Sequence, residues 1–205
     1  MAEQKKPQRE GTVVLENVRL SFPHLKEPSK STDDGPLKYR ATALMDPDTE
    51  IGKKNIAKLE AAIKKAAAGV WKDKADKVRK ALEKDRRGLR DGDTATNGEG
   101  DVYDGYEGMQ FVSATNSKRP KILHRDKSVM ELDEISAKLY GGCYVNMIVS
   151  IWATADKKFG GNGIFASLEL VQFRRDGDPF GAAPIDEDDF SELDMDEDEE
   201  EDELV

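Results

Sequence analysis

Residues 143–154 read CYVNMIVSIWAT, and their apolar side chains recur with a period of two. The apolar positions are Cys143, Val145, Met147, Val149 and Ile151. Because successive side chains of a strand point to opposite faces, this period predicts a β-strand with one face in the core. A glycine-rich turn at residues 155–163 and an apolar run at 164–173 follow, so the two runs are predicted to pair as a hairpin.

Four further strands are predicted from the same signal, at residues 12–22, 38–45, 110–114 and 121–124. In the first of them, Val18, Leu20 and Phe22 are predicted to share one face. Residues 26–37 are rich in turn-forming residues and are predicted to be a loop. A short helix is predicted at residues 129–139.

Between residues 48 and 85 the spacing of apolar residues changes to that of a helix. Residues 56–63 read IAKLEAAI, with apolar side chains three and four positions apart on one helix face. Gly69 is predicted to divide the segment into two helices. Residues 53–90 carry 14 Lys or Arg against five Asp or Glu, so a basic surface is predicted, either as a solvated face or in contact with DNA.

These elements together predict the fold class. About five strands that do not alternate regularly with helices favour a mainly β, α+β architecture, a small five-stranded barrel, over a parallel sheet. A chain of 205 residues suffices for one compact domain, predicted at residues 11–181. This domain includes a basic helical insertion at 48–90 and a loop rich in glycine and acidic residues at 91–108. Residues 1–10 are predicted to be flexible.

The charge of the chain is divided unequally. The formal net charge is −10, yet residues 186–205 contain 14 acidic and no basic residues. Residues 1–185 therefore carry 32 basic against 28 acidic side chains, a net charge of +4. The acidic tail, residues 182–205, is predicted to be disordered because it has too little apolar surface to offset the entropy of ordering.

An acidic tail tethered to a basic body is predicted to mimic a nucleic-acid backbone and to compete with weakly bound ligands. When displaced, it would be available to partner proteins. The predicted partner-binding residues are Asp186, Asp189, Phe190, Glu203, Leu204 and Val205. Two alternatives stay open: the tail serves solubility alone, or the chain is an acidic interaction protein whose tail captures basic partners.

The motifs of nucleotide-binding and zinc enzymes are missing from the sequence. There is no Gly-Lys-Ser/Thr phosphate loop, and Tyr103 occupies the third glycine position of a dinucleotide motif that begins at Gly98. Two histidines and one cysteine cannot build a zinc site rich in imidazole and thiolate. We therefore expect neither a cofactor nor a bound metal.

One enzymatic alternative remains open in the acidic loop. A Mg²⁺-dependent nuclease would use the carboxylates of residues 91–104, namely Asp91, Asp93, Asp101 or Asp104. The competing interpretation of the same residues is a solvated acidic loop without catalytic function.

Aromatic residues recur beside basic ones, which points to a different chemistry. A protein that binds an unpaired strand without reading its sequence needs cations for the phosphates and flat rings for the bases. The candidate groups are Lys38, Tyr39 and Arg40; Phe111 with Arg119 and Lys121; Tyr144 and Trp152 on the non-core face of their strand; and Lys157, Lys158 and Phe159 on the glycine-rich turn. Core packing is the alternative for each single ring.

The sequence also indicates the cellular environment. Cys143 is the single cysteine and cannot form an internal disulfide. No apolar run approaches the roughly 20 residues that cross a bilayer, and the first ten residues lack a signal-peptide core. We therefore expect a soluble cytoplasmic protein without a membrane partner, and a homodimer is compatible with the sequence.

Several motifs together resemble the bacteriophage single-stranded DNA-binding proteins of OB-fold type. The resemblance covers residues 11–181 and rests on VLENVRLSFP (14–23), Tyr39, LRDGD (89–93), GMQF (108–111) with Arg119-Pro120, YGGCYV (140–145), and residues 163–173 followed by RDG (175–177). It implies an OB barrel and sequence-independent binding of single-stranded DNA. It also implies a role in phage replication, recombination or repair, on replicating DNA in the host cytoplasm.

The same resemblance adds to the predicted contacts and partners. The match at residues 89–93 places Arg90 among the predicted DNA contacts. Phage or host replication and recombination proteins are the partners that the resemblance implies for the acidic tail.

Overall fold

The computed structural model describes residues 11–31 and 34–181. Within these residues the strands are β1 (Thr12–Ser29), β2 (Lys38–Met45), β3 (Leu89–Asp91), β4 (Gln110–Asn116), β5 (Lys121–Leu123), β6 (Tyr144–Thr154) and β7 (Gly163–Arg175). The α-helices are α1 (Glu50–Trp71), α2 (Ala75–Ala81) and α3 (Ile135–Lys138). In this described part of the chain, no helix is both long and apolar enough to cross a membrane.

Five of the strands close into a barrel. Antiparallel pairing joins them in the order β4, β2, β1, β6, β7. A parallel pairing of β4 with β7, at Ala114 with Ala166 and Thr115 with Ser167, then closes the ring. β3 extends the sheet beside β4, and β5 extends it beside β7. The predicted five-stranded barrel with a helical insertion is confirmed.

The apolar face of β6 fills the barrel interior. Cys143, Val145, Met147, Val149 and Ile151 are each at most 5% exposed. The side chains between them are half-buried on the outer face. The period of two therefore predicted correctly which face of this strand enters the core, where each large apolar side chain contributes about 1.5–3 kcal/mol.

Two bulges bend β1 so that it pairs with both β6 and β2. They lie at Asn17 and Phe22, whose φ angles are positive at 52° and 45°. The bulge at Phe22 turns this ring out of the core, so the predicted shared face with Val18 and Leu20 is wrong at Phe22. β1 also continues to Ser29, so the predicted loop begins later than residue 26.

α1 packs its apolar side against the barrel. Leu59, Ile63 and Ala67 are buried at helical spacing, and the Thr49 hydroxyl caps the helix by accepting from the Gly52 amide at 3.1 Å. The helix runs through Gly69, because an exposed glycine costs a helix only about 1 kcal/mol. It ends where Lys72 adopts a φ of 50°, so the break predicted at Gly69 is wrong by three residues.

The connection from β5 to β6 is less helical than predicted. Only Ile135–Lys138 is α-helical, whereas a helix was expected over residues 129–139. The backbone before it pairs with β5 instead: Val129 bridges Leu123, and the Met130 amide donates to the Ile122 carbonyl at 3.0 Å. A backbone committed to this pairing cannot also form helical hydrogen bonds.

Candidate nucleic-acid interface

The outer face of β2 and β4 forms the floor of the candidate site. Alternate residues of β2 enter the core, so those between them face outward. The outward rows that cross from β2 to β4 are Arg40 with Thr115, Thr42 with Ser113, and Leu44 with Phe111. In OB barrels the outer face of the second and third barrel strands binds oligonucleotides, together with two flanking loops. Here the described parts of those loops are residues 30–31 with 34–37, and residues 155–162.

The acidic loop, residues 91–108, covers one half of this floor. Tyr106 is 2% exposed and packs in a small cluster with Phe111, while its hydroxyl donates to Ser21 Oγ at 3.1 Å. Removal from water raises the pKa of Tyr106. Phe111, at 5% exposure, has no free face for a base; it supports Tyr106 and the Arg90 guanidinium, which lies 4.5 Å from its ring centroid.

The acidic loop returns to the sheet through Gly92. A Cβ at Gly92 would collide with the carbonyl oxygens of Tyr106 and Met109. The Gly92 amide itself donates to the Met109 carbonyl at 2.8 Å. Only glycine allows the two backbone segments to approach this closely, and this approach sets the position of the loop over the floor.

Three carboxylates of this loop accept hydrogen bonds from backbone amides. Asp91 accepts from the amide of Asp93 at 3.1 Å, and Asp93 accepts from that of Gly108 at 2.7 Å. Asp104 accepts from the amide of Gly181 at 2.9 Å. Across residues 11–31 and 34–181, three or more His, Cys, Asp or Glu residues nowhere come together in a group that could hold a metal ion. Three of the four candidate carboxylates, Asp91, Asp93 and Asp104, therefore hold backbone of or beside the loop.

The other half of the floor is open and carries two exposed rings. Phe22 is 47% and Tyr103 is 37% exposed. Beside them lies a groove of about 350 Å³ whose lining includes Lys84, Arg90 and Ser113. Burial lowers the pKa of Arg90, yet an arginine remains charged at neutral pH. Exposed rings beside cations are what stacking of unpaired bases and phosphate contact require.

The turn between β6 and β7 carries a second group of rings. Trp152 lies against Phe159 and Phe165, with centroids 5.6 and 5.0 Å away. Phe159 is 55% exposed, and Lys157 and Lys158 precede it in one short 3₁₀ turn. The structure thus brings four of the predicted residues together and adds Phe165 to them.

Arg86, from the helical insertion, fixes the shape of this turn. Its guanidinium donates to the carbonyl oxygens of Phe159 at 2.7 Å, Gly161 at 3.2 Å and Asn162 at 2.7 Å. It also lies 5.2 Å from the Phe165 ring centroid. Hydrogen bonds from a charged donor are among the stronger ones, so the insertion contributes to the order of the turn.

Barrel closure joins the two ring groups into one surface. Because Ala114 pairs with Ala166, the preceding residues Ser113 and Phe165 are neighbours on the outer face. Ser113 lines the open groove, and Phe165 packs on Trp152. The candidate interface therefore runs from the open groove across β4 to the β6–β7 turn.

Other predicted contacts lie on β2 and at or just before β5. Tyr39 is half-buried on the core-facing side of β2, and the Arg119 guanidinium lies 5.3 Å from its ring centroid. Arg119 and Arg40 each donate to a backbone carbonyl of β1, at 2.9 and 2.7 Å. Lys38 begins β2, and Lys121 is exposed at the start of β5.

Tyr144 lies far from Trp152. Both face outward from β6, but eight residues of a strand separate them by about 27 Å. The Arg175 guanidinium lies 3.3 Å from the Tyr144 ring centroid, and that of Arg19 lies 5.7 Å away. The two aromatic residues share a strand face, as predicted, but do not form one compact site.

Five residues of this surface are not among the DNA contacts predicted from the sequence: Phe22, Tyr103, Phe165, Lys84 and Arg86. For Tyr103 a signal existed, because an aromatic residue in a loop without apolar period is a candidate for exposure. Phe22 and Phe165 lie in predicted strands, where an aromatic residue is expected in the core, so the sequence does not indicate their position on this surface. The position of Arg86 at the turn depends on contacts between distant segments.

Comparison with known proteins extends these observations. The family model described as Enterobacter phage Enc34, ssDNA-binding protein, matches residues 11–204. Protein p50 of Acyrthosiphon pisum secondary endosymbiont phage 1 is 36% identical over 195 residues, covering 92% of this chain and 97% of that protein. A solved structure of the single-stranded DNA-binding protein from bacteriophage Enc34 in complex with ssDNA is 31% identical, with a TM-score of 0.65, and the match covers 83% of this chain and 90% of that one.

A more distant solved structure shares the fold alone. The single-stranded DNA-binding protein gp2.5 of bacteriophage T7 is 13% identical, with a TM-score of 0.51. The match covers 95% of this chain and 98% of that chain.

Proposed function

Because the chain belongs to the Enterobacter phage Enc34 single-stranded DNA-binding protein family, we propose that it binds single-stranded DNA without sequence preference on the outer face of its barrel. This membership confirms the resemblance that the sequence motifs indicated. The observation that carries the proposal is the pair of exposed rings, Phe22 and Tyr103, beside Lys84 and Arg90. The proposed role is non-catalytic, in phage DNA replication, recombination or repair in the host cytoplasm.

The open groove supplies both kinds of contact that an unpaired strand needs. Bases stack on Phe22 and Tyr103, where a ring is worth about 1–3 kcal/mol per base. Phosphates lie beside Lys84 and Arg90, whose charges neutralise them. Arg90 is held in place by the Phe111 ring beneath it, so Phe111 acts as a support for the site.

The strand continues toward the β6–β7 turn. There a base stacks on the exposed ring of Phe159, which Trp152 supports from behind. Lys157 and Lys158 contact phosphates. Arg86 keeps the turn ordered before DNA arrives, which lowers the entropy lost on binding.

Sequence tolerance follows from the chemistry of the floor. The hydroxyls of Thr42 and Ser113 bond to each other at 2.9 Å and Thr42 is buried, so this row offers few polar groups to base edges. Rings and cations form the rest of the surface. Neither distinguishes strongly among bases, because every base has a face that stacks and every nucleotide has a phosphate.

The remaining predicted contacts extend this track. Charge and a ring come from Lys38, Tyr39 and Arg40 on β2 and from Arg119 and Lys121 at β5. Tyr144, with two arginines on its ring, is proposed to meet the strand at the far end of β6.

The acidic tail lies outside the described residues, and its role is proposed from charge. It competes with DNA for the basic surface and, once displaced, recruits replication or recombination proteins. Deleting residues 182–205 changes the formal net charge from −10 to +4. We expect the shortened chain to bind oligo-dT more tightly at low salt, with the difference lost at high salt. Equal affinities at low salt would exclude the tail as a competitor.

The function is tested by mixing the full chain with labelled oligo-dT and Mg²⁺. A mobility shift without cleavage supports the proposal. Cleavage would instead favour the nuclease that uses Asp91, Asp93, Asp101 or Asp104. Neither a shift nor cleavage would favour the acidic interaction protein.

A further inference from the structure

A second basic groove lies between α2 and the β6–β7 turn. Its volume is about 670 Å³. It is lined by the basic side chains of Lys74, Lys77 and Arg86 and by the aliphatic side chains of Val78, Ala81 and Leu82. Gly160 and Asn162 of the turn form its opposite wall.

The cations of this groove are not neutralised by neighbours. Among the residues that the structure describes, the side chains of Lys74 and Lys77 make no ion pair or hydrogen bond. Arg86 donates hydrogen bonds to backbone carbonyls, which carry no full charge and do not neutralise it. Glu83 is the single carboxylate in the lining. The groove is therefore suited to a negatively charged ligand.

The floor of the groove distinguishes between two kinds of anionic ligand. Unpaired bases require flat rings for stacking, and the open groove beside Phe22 provides them. The groove along α2 has an aliphatic floor without a ring in its lining. An acidic peptide that also carries branched aliphatic side chains matches this groove. Its carboxylates would lie beside the cations, and its aliphatic side chains would pack on the apolar floor.

We propose that this groove holds residues 196–205 of the acidic tail. This segment contains eight consecutive acidic residues followed by Leu204 and Val205. Its carboxylates lie beside Lys74 and Lys77, and its two aliphatic side chains pack on Val78 and Leu82. The inference rests on the proposed role of the tail as a competitor of DNA. It places the docking site of the tail outside the open groove beside Phe22.

The length of the chain allows this docking. Gly181 lies beside the start of β6, because the Phe180 amide donates to the Gly141 carbonyl at 2.9 Å. The groove lies at the other end of β6, about 34 Å away along the strand. The 15 residues that follow Gly181 span up to about 50 Å when extended, so residue 196 can reach the groove.

A tail docked here would weaken DNA binding, as proposed above, without entering the open groove beside Phe22. Gly160 and Asn162 belong to the same turn as Lys157 and Lys158. Charges act on one another over roughly 8–10 Å at moderate salt, so carboxylates docked against Gly160 and Asn162 act on the lysines of the same turn. They lower the positive potential that phosphates meet at the turn.

The full chain provides the test. Cys143 is buried, so a nitroxide label attached at Met195→Cys reports on the tail alone. We expect the label to broaden backbone amide NMR signals of residues 74–82 and 160–162. Broadening centred on Phe22, Arg90 and Tyr103, or no broadening of any described residue, would overturn the proposal.

Two pairs of matched variants distinguish a built site from general charge attraction. Lys74→Glu/Lys77→Glu is expected to abolish the broadening, whereas Lys54→Glu/Lys64→Glu, with the same charge change on α1, leaves it. Leu204→Ser/Val205→Ser is expected to reduce it, whereas Phe190→Ser leaves it. Equal loss in both members of either pair overturns the proposal. Oligo-dT binding is measured separately on the same proteins, so failure of the DNA-binding function is distinguishable from failure of docking.

Discussion

The rings of Phe22 and Tyr103 meet edge to face, with centroids 5.0 Å apart and planes at 77°. Phe22 comes from a bulge in the first strand, and Tyr103 comes from the acidic loop that folds back over the sheet. Edge-to-face contact is the geometry that aromatic pairs prefer. Phe22 remains 47% and Tyr103 37% exposed, so the pair is available as the stacking platform that we propose.

Replacing these rings is expected to weaken DNA binding without unfolding the protein. Phe22→Ala and Tyr103→Ala should each reduce the affinity for oligo-dT by about 1–3 kcal/mol, the value of one stacked base. The fluorescence anisotropy of labelled oligo-dT gives the affinity. Val129→Ala and Leu132→Ala, which remove exposed apolar side chains elsewhere, serve as controls. If the ring variants bind as the controls do, the open groove is not the site.

The β6–β7 turn is expected to report on binding through its tryptophan. Trp71→Phe leaves Trp152 as the single tryptophan of the chain, and its fluorescence should be quenched when oligo-dT binds. Phe159→Ala should lower affinity by about 1–3 kcal/mol because its ring is exposed. The melting temperature should change little. A large fall in melting temperature with unchanged affinity would identify Phe159 as a packing residue instead.

The dependence of affinity on salt is expected to reveal which lysines meet phosphates. Each contact with a single strand contributes about −0.7 to the slope of log affinity against log salt. Lys157→Ala/Lys158→Ala should therefore make the slope shallower by about 1.4. Lys54→Ala/Lys64→Ala on α1 is the matched pair. An equal change in both pairs would place DNA on the helical insertion as well.

Two glycines of the acidic loop are expected to differ in their tolerance of alanine. Gly92→Ala forces a Cβ against two carbonyl oxygens, and strain of this kind costs about 1–3 kcal/mol. It should also displace Tyr103 and weaken DNA binding. At Gly98 an added Cβ meets nothing within 4 Å, so Gly98→Ala should preserve both properties. Chemical denaturation and anisotropy measure the two effects, and equal stability of the two variants would contradict this account of the loop.

Cys143 is expected to be unreactive in the folded protein. Burial raises the pKa of its thiol to about 11, and the thiolate is the reactive form. At pH 8 the thiolate fraction is at least about a hundredfold lower than for a free cysteine with a pKa near 8.5. Labelling with a thiol reagent should therefore be slow in buffer and fast in denaturant. Rapid labelling of the folded chain would contradict the burial of this residue.

Local patterns predicted the scaffold well and the exposed surface only in part. The alternation in β6 correctly identified five core residues, and β2 has the predicted bounds. Both results follow from the period of two, which is visible in residues that are neighbours in the sequence. Phe22 obeyed the same period and is nevertheless outside the core, because a single positive φ reversed its direction.

The sequence by itself determined the barrel class, the faces of its main strands and the family, because these depend on local periods and on short motifs. Only the tertiary structure decided which rings are exposed. Tyr106 packs over Phe111 and is held there by a hydrogen bond to Ser21, 85 positions away. Arg86 orders the β6–β7 turn through a hydrogen bond to Asn162, 76 positions away. The physical reason is that exposure depends on how distant segments meet when β4 closes on β7, and no local period encodes that closure.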